Sequence, residues 1–199
     1  MICRLRCDDT GQAFPIYITV VGGLLILAFA YFAVGQASAN RNGAQTAADA
    51  AALAAAQDAR DQLADMWVND VGDPTRWQSI FEGDAAGLGP SCWRGEQLAA
   101  QNDARVLSCN PEGLLGFAVE VETNRPVGDS IVPGTEDKRS RASATAVIEA
   151  ECTFELPSEA VAGGALPQLT CGEEQWDLDP EDLGDLPKPE ELFDVHLAD

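Results

Sequence analysis

The chain has 199 residues, in which 12 Lys and Arg stand against 33 Asp and Glu for a formal net charge of −21 at pH 7. That length holds one ordinary domain with extensions, not a large multidomain enzyme. The acidity argues against an electrostatic grip on phosphate backbones or anionic lipid, so nucleic-acid binding is excluded first. A hydrophobic content of 46% is ordinary, but it is unevenly spread, with one apolar block near the N-terminus and an acidic, polar remainder.

Residues 1–12 read as a short stub carrying Arg4, Arg6, Asp8 and Asp9. From Ala13 to Gly35 no residue is charged, and at about 1.5 Å per residue a helix over this stretch is about 35 Å long, enough to cross a bilayer core with some tilt. Its apolar side chains, from Phe14 and Ile16 to Phe32 and Val34, together favour insertion by about 4–7 kcal/mol. Tyr17 and Tyr31 fall near the two ends, where amphipathic rings prefer the headgroup level, and Pro15 falls in the first turn, where a missing N–H matters least. A transmembrane helix over 13–35 is therefore predicted.

The competing reading is a secretory signal peptide, because Ala37-Ser38-Ala39 has the small-x-small form of a cleavage site. Two features oppose it. The apolar core is longer than the roughly 7–15 residues of a signal sequence, and Arg4 and Arg6 are offset by Asp8 and Asp9. Retention in the membrane is expected. Arg4 and Arg6 precede the span while most of the acid follows it, which predicts a cytoplasmic N-terminus and an extracytoplasmic C-terminus.

The cysteines agree with this orientation. Cys3 and Cys7 fall on the reducing side and read as idle thiols, whereas Cys92, Cys109, Cys152 and Cys171 form an even set beyond the span. Four cysteines allow three pairings; the local ones, Cys92 with Cys109 and Cys152 with Cys171, are expected, each contributing about 3 kcal/mol on a chain-entropy estimate. A metal site is disfavoured because no C-x-x-C occurs and the one histidine, His196, lies near the end of the chain.

Residues 36–67 are rich in alanine and other helix formers and contain no proline, so the helix is predicted to continue outward past a weak point at Asn42-Gly43. Leu53, Ala56, Leu63 and Trp67, with Ala59 and Met66 beside them, recur at three- and four-residue steps as a narrow apolar stripe. Packing on the chain's own outer domain is the simpler reading of that stripe; an assembly face for neighbouring helices is the sharper one.

The run Asn40-Arg41-Asn42-Gly43-Ala44-Gln45-Thr46-Ala47-Ala48-Asp49-Ala50-Ala51-Ala52-Leu53-Ala54-Ala55-Ala56 follows an N-terminal span that is itself preceded by Asp9-Thr10-Gly11-Gln12. In that placement it resembles the TadE/TadG-like proteins of Flp (tight adherence) pilus assembly, and the TadG-like N-terminal region in particular. Gly11, Arg41, Gln45, Ala47, Ala48, Asp49, Ala50, Ala51, Leu53 and Ala54 fill the motif positions, over a resemblance that covers roughly residues 8 to 60. The resemblance implies a bitopic minor component or assembly factor of a pilus-like apparatus. The expected partners are the platform proteins, a secretion ATPase, pilin and membrane lipid. It implies no catalysis and no cofactor. One departure is informative: processed pilins carry a glutamate five residues after the cut glycine, and counting from Gly11 that position is Ile16. Little processing at Gly11 and no role as the major pilin are expected.

Residues 68–171 are predicted to form the outer domain. Glycine, proline and aspartate break the pattern from Val68 to Pro90, apart from a helical turn around Trp77 to Phe81. A short helix is expected within Gly95 to Arg105, followed by a strand at Val106 to Cys109. Phe117 to Thr123 alternates, with Phe117, Val119 and Val121 on one face, and Ser143 to Phe154 is a second extended stretch. Between them, Pro126 to Arg141 is rich in turn residues. Glu120 and Glu122 share the other face of their strand and are expected to be solvated, with no raised pKa. TadE/TadG-like outer domains pair a long helix with a small antiparallel sheet. The resemblance thus implies an α+β fold in which Leu53, Leu63 and Trp67 cover one sheet face.

From Gly172 to Asp199 eleven Asp or Glu accompany only Lys188, which reads as a disordered acidic tail. The sharper alternative is a docking segment in which Trp176, Leu178, Leu183, Leu186, Leu192 and Phe193 fold onto a basic partner. Calcium at Asp177, Asp179, Glu181, Asp182 and Asp185 lacks the EF-hand pattern. With one histidine, and no phosphate-cradling glycine loop after a strand, no catalytic constellation is legible. Two functional readings follow from this organisation: a non-catalytic membrane-anchored assembly protein, and an acidic binding module released after Ala39.

Overall fold

The computed structural model describes residues 13–126, 137–156, 166–179 and 185–198. The readings made on Arg4, Arg6, Asp8, Asp9, Cys3, Cys7, Gly11, Glu181, Asp182 and Leu183, and most of those on the stretch from Pro126 to Arg141, lie outside them. The first element, α1, is a single helix over Ala13–Asn69, about 86 Å long at about 1.5 Å per residue. It runs unbroken through Asn42-Gly43, where the Thr46 hydroxyl donates to the Asn42 carbonyl at 3.0 Å. Alanines before and after the glycine supply enough helix propensity to carry it.

The two halves of α1 lie in different surroundings. From Phe14 to Val34 its large apolar side chains are exposed all round, whereas Ala44, Ala47, Ala48, Ala51, Ala52, Ala55 and Ala56 are fully buried. Buried alanines let backbone approach backbone closely, and the domain wraps this half of the helix on several sides.

On one side lies a four-stranded antiparallel sheet built from β1 (Ala104–Pro111), β2 (Gly116–Thr123), β3 (Arg141–Ala150) and β7 (Phe193–Leu197), in the order β1-β2-β3-β7. Val119 and Val121 of β2 and Ala146 and Ile148 of β3 are buried in the core. On another side α3 (Cys92–Gln101) packs against α1. Gly95 allows that contact: a Cβ there would lie 2.8 Å from the Ala51 carbonyl oxygen and 3.7 Å from the Ala55 Cβ. The far end of α1 carries Leu63 and Trp67 into an aromatic cluster. There Trp67 and Trp77 have ring centroids 5.6 Å apart, Trp77 meets Phe154 edge-on at 5.2 Å, and Phe81 meets Phe193 at 5.3 Å. Trp77 and Phe81 come from α2 (Trp77–Phe81), the helical turn expected there. Leu53 is only partly buried, so of the stripe Leu63 and Trp67 carry most of the large side-chain burial.

Three short strands, β4 (Cys152–Phe154), β5 (Leu169–Cys171) and β6 (Glu174–Trp176), make a second antiparallel sheet. The extended stretch from Ser143 to Phe154 is thus divided between two sheets. Cys152 and Cys171 face each other across β4 and β5 and are disulfide-bonded, and a second disulfide joins Cys92 at the start of α3 to Cys109 on β1. An α+β class with a long N-terminal helix, a small antiparallel sheet and two disulfides is the architecture expected from the sequence.

Two expectations are corrected. The acidic C-terminal segment is not a disordered tail over its described residues. Leu192, at the end of α4 (Pro189–Leu192), and Phe193 are fully buried, and β7 pairs with β3 from Ala150↔Phe193 to Ala146↔Leu197. The reason is local: Phe193, Val195 and Leu197 alternate with Asp194 and His196, so one strand face joins the core while the other carries the polar groups. Net charge averaged over the segment hides that alternation. The second correction is Glu122, which is 6% exposed rather than solvated, for reasons given below.

Candidate functional site

Among the described residues the features with functional geometry are the helix, its junction with the domain, and the charged end of the sheet. Among the described residues α1 is the one helix long and apolar enough to cross a membrane. Its apolar stretch ends at Gly35, and only five positions later Asn40 is already tied to the domain. The Asn40 amide donates to the Arg125 carbonyl at 3.2 Å and to the Pro126 carbonyl at 3.5 Å, and its oxygen accepts from the Thr123 hydroxyl at 3.3 Å. Thr123 is the last residue of β2, so the sheet is fastened to α1 immediately beyond the apolar segment.

The motif residues follow directly. Arg41 is exposed. Gln45 donates to the Asp49 carboxylate one turn on, at 2.8 Å, and to the Ser143 carbonyl of β3 at 3.4 Å. Ala47, Ala48 and Ala51 are fully buried, Ala54 is buried, and Ala50 and Leu53 are half-buried. In this chain, then, the alanine run is the surface on which the sheet and α3 sit, and Gln45 and Asp49 form a polar margin beside it. Larger residues at 47, 48 and 51 would push the sheet or α3 away from the helix.

At the same end of the sheet Glu122 lies between two cross-strand neighbours, Arg105 on β1 and Arg141 on β3. It accepts from Arg141 Nε at 2.9 Å and from Arg105, and Arg139 approaches to 4.0 Å. The hydrogen bond from Arg141 holds the Glu122 carboxyl below the usual carboxylate range; burial opposes that shift, and the charges of Arg105, Arg141 and Arg139 reinforce it. Strand alternation placed Glu122 on the face away from α1, but the three guanidinium groups cover it there. The signal was present in the sequence as basic residues at positions 105, 139 and 141, and only the strand register brings them together.

Glu120, Glu122's neighbour on the same face, is half-buried. His196 on β7 lies beside Asp194, with Nδ1 2.9 Å from its carboxylate, and its Nε2 lies 3.9 Å from the Glu149 carboxylate. An apolar cleft of about 370 Å³ between α1, the β1–β2 turn and the segment at 88–92 is lined by Leu63, Leu88, Leu114, Phe117 and Ile148, and among the described residues no ionisable side chain lines it. Among the described residues no group of three His, Cys, Asp or Glu is disposed to hold a metal ion.

Fold and junction together define a class: a small disulfide-bonded α+β domain fastened directly to the end of a membrane-length helix. Residues 11–58, roughly a quarter of the chain, match the family model described as putative Flp pilus-assembly TadE/G-like. This segment of the chain is therefore TadE/G-like, and the match supports involvement in Flp pilus assembly. It spans the apolar helix, the Asn40 junction and the alanine run, and every motif position from Gly11 to Ala54 falls inside it. Neither the curated proteins nor the solved structures give a significant match.

Proposed function

We propose that this chain is a non-catalytic, membrane-anchored component or assembly factor of an Flp/Tad-type pilus or a related surface secretion apparatus. The observation that carries the reading is the continuity of α1. One helix exposes an apolar surface over 14–34 and, without a break, becomes the packing spine of the folded domain. That design couples a membrane segment rigidly to an outer domain, as suits a part that must hold a fixed height and rotation in an assembly. Arg4 and Arg6 ahead of the span support a cytoplasmic N-terminus, and two disulfides beyond it support an oxidising compartment for the domain. In this reading the partners are the platform proteins, the secretion ATPase and pilin, together with membrane lipid around residues 13–35.

The second reading, an acidic binding module released after Ala39, keeps one point in its favour, the small-x-small form of Ala37-Ser38-Ala39. Against it, those residues lie within an uninterrupted helix that leads straight into the Asn40 junction. Intact mass of the native protein from membrane and culture fractions decides between them, and alkylation in the same experiment counts the free thiols. The anchored reading expects a membrane form that retains the residues through Ala39, with two alkylatable cysteines, and recovery of pilus components on cross-linking. A form beginning at Asn40 in the medium would replace it with the secreted module.

A further inference from the structure

We infer that the end of the domain nearest the membrane helix is a collar for anionic lipid, in which Arg41, Arg125, Lys138, Arg139 and Arg141 engage the headgroup phosphates of the bilayer that α1 leaves. The inference rests on α1 spanning a bilayer, and adds to that reading a specific contact between the domain and the lipid surface.

Depth is the first argument. Asn40 stands five residues beyond Gly35, about 7.5 Å along the helix at about 1.5 Å per residue. The headgroup layer on each side of a bilayer is itself about 5–8 Å thick. Asn40 is bonded to the backbone at Arg125 and Pro126 and to Thr123, so this end of the sheet is held at headgroup height. Thr123 in turn donates its backbone N–H to the Ser140 carbonyl at 3.0 Å and accepts the Ser140 N–H on its hydroxyl at 3.2 Å. That brings the chain at Lys138, Arg139 and Arg141 to the same level.

Charge is the second argument. Beyond residue 39 the chain has ten Lys and Arg, and six of them, the five named and Arg105, gather at this end. Few described acids answer them. Glu122 is one carboxylate shared by Arg105, Arg141 and Arg139; Asp103 pairs with Arg125 at 3.2 Å; Asp137 is exposed nearby. The side chains of Arg125 and Arg141 remain 79% and 63% exposed despite their partners. A guanidinium carries five N–H donors, so each still has several to offer a phosphate. The rest of the chain is strongly acidic, but at physiological salt charges more than about 8 Å apart are largely screened. Net charge alone therefore misjudges this face: the molecule as a whole repels an anionic surface, while the end that faces the bilayer attracts it.

The test uses the full-length chain with Cys3→Ser and Cys7→Ser and a fluorophore on Asn124→Cys, in nanodiscs of phosphatidylcholine with or without phosphatidylglycerol, quenched by headgroup spin-labelled lipid. Each cation near an anionic surface raises the ratio of docked to undocked domain by about fivefold. Quenching should thus rise when phosphatidylglycerol is present and fall again on raising salt. It should fall most of the way to the phosphatidylcholine level in the combined variant Arg41→Gln, Arg125→Gln, Lys138→Gln, Arg139→Gln, which leaves one collar cation in place. Arg141 is kept because it holds Glu122, and amide exchange of β2 and β3 verifies that the variant is folded. If the variant unfolds, the salt titration of the unsubstituted collar decides. Equal quenching in both lipid compositions, or no response to salt, overturns the collar while leaving the span intact. Failure of the chain to enter either disc overturns the spanning reading and the collar with it.

Discussion

Asn40 of α1 and Thr123 of β2 share a hydrogen bond of 3.3 Å at the point where the helix passes from its exposed apolar half into the domain. The same asparagine also donates to the carbonyls of Arg125 and Pro126. One side chain thus ties together a helix and a strand end separated by more than eighty residues, and does so next to the apolar segment of α1. A joint of this kind sets how freely the domain tilts on its stalk.

Asn40→Ala should therefore loosen the junction without unfolding the core. The expected loss is about 0.5–1.5 kcal/mol, since the buried Thr123 hydroxyl keeps its bond to the Arg125 carbonyl and water can replace the bonds to the Arg125 and Pro126 carbonyls. Amide exchange in detergent should quicken at Thr123 to Arg125, while Val119 and Val121, buried deeper in β2, keep their protection. Unchanged exchange at the strand end would mean that Asn40 does not hold it.

Glu122 gives the fold an acid-sensitive element. Its carboxyl titrates below the usual range in the folded chain and near about 4.3 when unfolded. A depressed folded pKa contributes stability that is fully present above the unfolded value and is lost as pH falls through the folded one. Urea denaturation from neutral pH downward should show stability declining below the ordinary carboxylate range. Glu122→Gln should be less stable at neutral pH and should show a shallower acid decline. Parallel acid limbs in the two proteins would rule Glu122 out as a source of the slope.

How much of this was readable in advance follows from which forces are local. The apolar helix, the alanine run after it and the alternation of Phe117, Val119 and Val121 are written in adjacent residues, and α1 and β2 follow them. The helical turn at Trp77 to Phe81 was legible for the same reason. The segment after Gly172 misled because its charge was averaged, whereas Phe193, Val195 and Leu197 carry a period of two that a shorter window reveals. Glu122 misled differently. Its burial depends on register, since Arg105 and Arg141 become its neighbours only when β1 and β3 pair with β2, and no local pattern encodes that. The motif alanines were recognised as a pattern, but the partners they face, β3 and α3, come from distant parts of the chain.

Gly95 measures how tightly α3 is seated on α1. With the Ala51 carbonyl oxygen only 2.8 Å from where a Cβ would stand, even Gly95→Ala must move backbone, because the obstructing atom is not a flexible side chain. Overpacking of this kind costs about 1–3 kcal/mol, against a helix-propensity gain of at most about 1 kcal/mol. The substitution should lower the denaturation midpoint, and Gly95→Val should lower it further. A neutral or stabilising Gly95→Ala would mean that α3 sits further from α1 than this packing requires.

Phe193 tests whether the C-terminal segment belongs to the domain. It is fully buried, meets Phe81 in a tilted ring contact with centroids 5.3 Å apart and begins the pairing of β7 with β3. Phe193→Ala should cost about 3–5 kcal/mol, a large share of the total stability of a domain this size. Exposed Asp194 next to it provides the control, with Asp194→Ala expected within about 0.5 kcal/mol. In limited proteolysis the parent chain should resist cleavage between Pro189 and Leu197, and Phe193→Ala should become sensitive there first, because β7 is an edge strand with a single partner. If the segment were a solvated acidic tail, both substitutions would be silent and the parent would already be cut at this position.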